Sequence, residues 1–88
     1  MFVILFYDVN EKRVGKMLKL CRQYLTWQQN SVFEGEITIA KLEELKMKIN
    51  RLIKKKDEDS VIIYEFRTMK YSQRVILGKD KKINLDFI

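Results

Sequence analysis

The chain contains no histidine, no proline and a single cysteine, Cys21. Without histidine there is no Ser-His-Asp triad, no Cys-His dyad and no imidazole general base. Zinc sites of the Cys/His or all-Cys kind are excluded with them, and one thiol allows no disulfide within the chain. The absence of proline and the presence of only three glycines leave no linker, repeat or low-complexity stretch. Long apolar runs are missing too. Phe2 to Tyr7, the longest, has six residues, whereas a bilayer-spanning helix needs roughly 20. Asp8 and Asn10 interrupt that run at once, so it does not read as a signal peptide, and no membrane partner is expected. A reducing cytoplasm is the expected location for a protein with a lone thiol. At 88 residues a single domain with a modest core is expected.

What the chain has in excess is positive charge. Its formal net charge is +6, and the charge is uneven: residues 1–44 carry six Lys/Arg and six Asp/Glu, while residues 45–88 carry twelve and six. A basic balance favours phosphate-bearing partners such as nucleic acid, and it also suits a surface charged simply for solubility. Any polar chemistry must come from carboxylates, Lys, Arg, Tyr, Ser, Thr or a metal held by oxygens.

Periodicity supplies the elements. Phe2 to Tyr7 is a continuous run of β formers, which predicts a central strand covered on both faces. From Glu11 to Tyr24, Val14, Met17, Leu18, Cys21 and Leu25 recur at helical spacing, with Lys12, Lys16 and Lys19 opposite them. Residues 27–37 favour β structure, either as one bent strand or as a hairpin. Thr38 is an N-cap candidate for a second helix, whose apolar stripe is Ile39, Leu42, Leu45, Ile49, Leu52 and Ile53. A turn at 57–60 leads into a second strong strand, Val61 to Phe66. Arg74 to Leu77 reads as a short strand ended by Gly78. Ile83, Leu85 and Phe87 alternate with Asn84 and Asp86 as a half-buried strand would. Helices alternating with strands in a short chain predict an α+β fold, two helices on one face of a mainly antiparallel sheet, for which the ferredoxin-like split βαβ is the usual solution at this length.

Three groups could carry chemistry. Asp8 stands at the rim of the sheet, where a carboxylate can meet Mg²⁺, an ion that takes one or two carboxylates and fills its other positions with water and phosphate oxygens. Asp8 and Glu11 also have the spacing of a capping box, and spacing alone favours that plainer role. The segment Trp27 to Gly35 could line a nucleic-acid groove with Trp27 or Phe33 against a base, although such aromatics more often pack in a core. The basic set comprises Lys12, Arg13, Lys16, Lys19 and Arg22 on the first helix and Lys54 to Lys56 after the second. Each group taken singly has an ordinary structural explanation.

Taken together, Phe2-Val-Ile-Leu-Phe-Tyr-Asp-Val9, Arg13-Val14, Gln29-Asn-Ser-Val-Phe-Glu-Gly35 and the strand Val61 to Phe66 resemble the CRISPR-associated Cas-two proteins, the small adaptation partners of the Cas-one integrase. The resemblance implies a ferredoxin-like βαββαβ sandwich over residues 1–78, with residues 79–88 as a C-terminal strand that pairs with the partner subunit of a homodimer. It implies that Asp8 binds the metal, Mg²⁺ or Mn²⁺, and that Tyr7, Arg13, Ser31 and Phe33 match positions tied to activity in some members. Its implied function is a metal-dependent endonuclease of spacer acquisition, an endoribonuclease or a DNase, working beside a Cas-one-like integrase on DNA or RNA through phosphate contacts. A non-catalytic scaffold bridging integrase dimers is the alternative, and a related toxin-type ribonuclease is another. Glu11 and Trp27 stand where some nuclease-active relatives carry arginine, which removes part of a cationic site.

Overall fold

The computed structural model describes residues 1–81. The chain runs β1 (Phe2–Asp8), α1 (Glu11–Arg22), β2 (Thr26–Gln29), β3 (Val32–Glu36), α2 (Ile39–Leu52) and β4 (Ser60–Phe66). The four strands form one antiparallel sheet in the order β2-β3-β1-β4. This is the ferredoxin-like βαββαβ arrangement, and the expected fold class holds. No helix among the described residues is long and apolar enough to cross a membrane.

The core lies between the sheet and the two helices. Val3, Leu5 and Tyr7 alternate into it from β1 and Phe33 enters from β3. Met17 and Cys21 of α1 and Leu42, Leu45 and Ile49 of α2 close it from the other side. β1 is therefore fully covered on one face, while on the other Phe2 and Ile4 are only half-buried, so the expectation of a strand buried on both faces holds in part. Phe6 is 40 % exposed on the opposite face, beside Ile62 at 53 % and Tyr64 at 54 %. An uninterrupted apolar run does not reveal which of its two faces finds a cover within its own chain. Two residues assigned to the helical stripes, Val14 and Ile39, are also exposed, because the stripe that meets the sheet is narrower than the run of apolar residues.

Local chemistry explains the element ends. Residues 27–37 form a hairpin with its turn at Asn30-Ser31. Asn30 takes φ 44°, a left-handed conformation that asparagine tolerates better than most residues. Trp27 Nε1 donates to the Asn30 carbonyl at 3.0 Å and fastens that turn. Thr38 caps α2 as its sequence position predicts, its Oγ1 accepting from the Lys41 amide at 3.2 Å.

Two sequence expectations need correction or fall outside the description. Arg74 to Leu77 do not form a strand. A strand exists only as part of a hydrogen-bonded ladder, and among the described residues this segment pairs with none. It lies instead against the exposed face of the sheet, where Arg74 ion-pairs with Glu34 and donates from Nη2 to Gln28 Oε1 at 2.6 Å. The alternating tail at Ile83, Leu85 and Phe87 lies outside the described residues.

Candidate functional site at the end of β1

Asp8 is the last residue of β1. The ladder with β4 runs its full length and ends at the pair Asp8↔Ser60. The ladder with β3 stops earlier, at Phe6↔Val32, with one more bond from the Tyr7 amide to the Ser31 carbonyl at 3.1 Å. Asp8 thus projects past the hairpin side of the sheet while remaining held by β4. Its side chain is exposed, and among the described residues no hydrogen bond or ion pair engages its carboxylate.

The capping role that spacing favoured for Asp8 belongs to Asn10. Its Oδ1 accepts from the Lys12 amide at 3.0 Å, and its carbonyl accepts from the Arg13 amide at 2.8 Å. The physical reason is register: α1 starts at Glu11, so the N-cap is the residue directly before it, and Asp8 is still in the strand. The acid–acid spacing of a capping box was present, but the chain was not yet helical there.

Tyr7 and Phe33 are both buried, and Phe33 is 0 % exposed. Burial, and the nearby Cys21, raise the Tyr7 phenol above its ordinary value, while a hydrogen bond to Ser31 pulls the other way. Tyr7 is therefore a neutral phenol at physiological pH. Ser31 is half-buried in the hairpin turn next to the end of β1. Cys21 is a packed core residue, and burial alone pushes its thiol up to about 12, so it supplies no thiolate nucleophile.

Arg13 does not stand free beside Asp8. Its Nε donates to Asp59 Oδ2 at 2.6 Å and its Nη2 to Asp57 Oδ2 at 2.7 Å. Asp59 was not selected from the sequence, because an aspartate in a charged turn looks like any other solvated acid. It is the buried polar residue of the described fold. Its Oδ1 accepts from the Asn10 amide at 2.7 Å and its Oδ2 also accepts from the Lys54 amide at 2.9 Å. The Arg13 guanidinium first, and the two amides with it, hold the Asp59 carboxyl far below the usual carboxylate range. The signal that could have found it is its place just before the β4 run, opposite the end of β1.

Two basic stretches lie on the elements that meet at this end. Lys12, Lys16 and Lys19 are exposed along one side of α1, at the spacing of neighbouring helical turns. Lys54, Lys55 and Lys56 are exposed before β4, Lys55 and Lys56 in the short 3₁₀ segment Lys55–Asp57 and Lys54 directly preceding it. The Arg13–Asp57 and Asp59–Lys54 contacts hold that segment against the start of α1. The structure therefore joins the start of α1 to the Lys54–Lys56 turn, about 40 residues away in sequence, at the strand end that carries Asp8. Among the described residues no group of three or more His, Cys, Asp or Glu side chains could hold a metal. A single carboxylate with no soft donors suits a hard cation bound largely through water and phosphate oxygens.

Comparison with known proteins bears on the family and the fold. The family model described as CRISPR associated protein Cas2 matches residues 1–74. A CRISPR-associated endoribonuclease Cas2 from Dictyoglomus turgidum is 57 % identical over 81 residues, 92 % of each chain. One of the same description from Thermococcus kodakarensis is 47 % identical over 88 residues, the full length of both. Among solved structures, a crystal structure of a cas2 protein superposes with a TM-score of 0.81 at 48 % identity, covering 92 % of this chain and 90 % of that one. Streptococcus pyogenes Cas2 superposes at 0.71 with 31 % identity, covering 86 % and 99 %. With the fold and the matched length in agreement, the chain belongs to the CRISPR-associated Cas2 family.

Proposed function

We propose that this protein cleaves RNA as a metal-dependent endoribonuclease of CRISPR adaptation, and that it does so as a homodimer. The observation that carries the reading is the exposed Asp8 at the end of β1, whose carboxylate has no partner among the described residues, on a strand end tied through Asp59 to the start of α1 and to Lys54. Similar proteins bearing the endoribonuclease description support the reaction class.

The exposed part of the sheet face supports the dimer reading. Phe6, Ile62 and Tyr64 lie together there, with the Phe6 and Tyr64 rings in edge-to-face contact at 5.9 Å. A contiguous apolar patch of this kind marks an association surface. A second copy covering it would bring two Asp8 side chains into one site, the pair of carboxylates that Mg²⁺ or Mn²⁺ accepts. Residues 79–88 would extend the partner's sheet. When bound, the metal would neutralise charge on the phosphate and lower the pKa of its water. The chain's own share is to hold Asp8 at a fixed strand end, to draw the phosphate backbone in with lysines and to keep Ser31 beside the strand end as a hydroxyl donor. Tyr7 and Phe33 support that end from within the core.

A second reading has its own observation. The exposed lysine stripe of α1 suits duplex DNA, gripped through phosphates without base readout. The dimer would then act as a scaffold beside a Cas-one-like integrase. One experiment separates the two: incubate wild type and Asp8→Asn with a single-stranded RNA and with duplex DNA, with and without Mg²⁺. Metal-dependent RNA cleavage that Asp8→Asn abolishes supports the enzyme. No cleavage by either protein, with equal DNA binding, supports the scaffold.

A further inference from the structure

We infer that Arg13 is a positioning residue, which together with Asp59 clamps both flanks of Asp8 and acts through that clamp rather than on a phosphate. The consequence for cleavage rests on the reading of Asp8 given above, whereas the clamp rests on geometry alone.

The two residues are 46 positions apart, yet they meet through a 2.6 Å charge-assisted bond. The Asp59 side chain is 0 % exposed and that of Arg13 is 11 % exposed. Asp59 spends its oxygens on three donors: the Asn10 amide, the Lys54 amide and Arg13 Nε. The Asn10 bond fixes the loop that follows Asp8. Asp59 itself directly precedes Ser60, the β4 residue paired with Asp8. One carboxylate therefore anchors the segment after Asp8 and the strand beside it. The third bond ties down Lys54, the first residue of the basic turn.

Arg13 makes this possible. A buried carboxylate stays ionised only when it is paired, and among the described residues Arg13 supplies the opposing charge on Asp59. In doing so it fills the Nε–Nη2 edge of its guanidinium, because Nη2 is held by Asp57 at 2.7 Å. That edge is one of those by which arginine takes a phosphate in a bidentate fork. An arginine waiting for substrate would keep that edge open. An arginine serving as a strut would be occupied on it, as Arg13 is.

The test uses the full-length protein. First, the affinity for a fluorescein-labelled single-stranded RNA is measured across a salt series. Arg13→Gln is expected to leave the slope of log K against log salt unchanged, whereas Lys12→Gln reduces it. A drop of about one unit in the slope for Arg13→Gln would mean that Arg13 touches phosphate, and would overturn the inference. Second, amide hydrogen exchange is followed at Asn10 and Lys54. Both amides should exchange about tenfold or more faster in Asp59→Asn and in Arg13→Gln. Unchanged protection in either variant would overturn the clamp.

Third, cleavage is compared in a double-mutant cycle. Each single change should lower kcat by up to about 100-fold with KM little moved. The double variant Arg13→Gln/Asp59→Asn should be no slower than the slower single, because both remove one pair. Multiplying losses would show that the two residues act independently. Arg13→Lys, which keeps the charge on Asp59, should recover part of the rate, and it carries the same measurements should Asp59→Asn fail to fold. The two readings fail separately. If Asp8→Asn cleaves as wild type does while the slope and exchange results hold, the role given to Asp8 is wrong and the clamp stands.

Discussion

The rings of Tyr7 and Phe33 stack with their centroids 6.3 Å apart and their planes inclined by 29°. The two residues come from neighbouring strands and share the face of the sheet that the helices cover. Tyr7 and Phe33, two of the three aromatic side chains that the sequence offers as site candidates, thus form one unit of the core directly behind the strand end that carries Asp8. Their route to function is mechanical: the stack sets where β1 stops being packed and where Asp8 emerges.

Removing that stack should cost stability before anything else. Phe33→Ala is expected to destabilise the fold by about 3–5 kcal/mol, as full truncation of a buried aromatic does. Phe33→Leu, which refills most of the volume, should cost less. Denaturant titration measures both. If Phe33→Ala lost activity at unchanged stability, the ring would be meeting substrate rather than packing.

Asp8 and Asn10 should separate cleanly in a stability assay. Asn10→Ala removes the acceptor that caps α1 and should cost about 0.5–2 kcal/mol. Asp8→Asn removes no hydrogen bond within the described fold and should leave the melting temperature in metal-free buffer nearly unchanged. Adding Mg²⁺ should then raise the melting temperature of the wild type and not that of Asp8→Asn, since only a ligand held by the native state stabilises it.

Acid should weaken the protein through Asp59. Its carboxyl is held below the ordinary carboxylate range chiefly by Arg13. A carboxyl lowered on folding contributes stability above its unfolded value, about 3.9, and that contribution is lost as pH falls through the folded value. Unfolding curves of the wild type should therefore be flat from pH 7 to about pH 5 and fall progressively below about pH 4. In Asp59→Asn the fall should be shallower from a lower starting stability. Glu44 is lowered in the same direction, first by Lys41, but its exposure makes its share smaller.

Binding should depend on salt more than on sequence. If a dimer neutralises roughly four to six phosphates, log K falls against log salt with a slope near −4 to −5. Changing Lys12, Lys16 and Lys19 together to glutamine should flatten that slope by about one unit for each lysine that meets a phosphate. Binding that is flat in salt, or that strongly prefers one RNA sequence, would rule out a phosphate-gripping surface.

Much of the fold was legible because its signals are local. Thr38 announced α2 by being a hydroxyl residue directly before an apolar stripe, and its side chain does cap that helix. The β1 and β4 runs were visible as dense β formers, and the alternation of elements pointed to the ferredoxin-like arrangement. Asp8 was legible as a candidate because a carboxylate ending such a run must reach the rim of the sheet. Its capping role was misread because the two acids had the right spacing without the helix having begun.

The sequence by itself determined the two helices, the β1 and β4 strands, the fold class and the absence of histidine chemistry, Cys/His zinc sites and a disulfide within the chain, since these follow from residue types and short-range periodicity. Only the tertiary structure decided which face of β1 is covered, that Val14 and Ile39 stay outside, and that residues 74–77 run across the sheet instead of joining it. It alone revealed Asp59. That residue's importance lies in bonds to Asn10, Arg13 and Lys54, two of which come from the far end of the chain. A carboxylate's burial and partners depend on which segments the fold brings together, and no local pattern around Asp57-Glu58-Asp59 records that the start of α1 will arrive beside it.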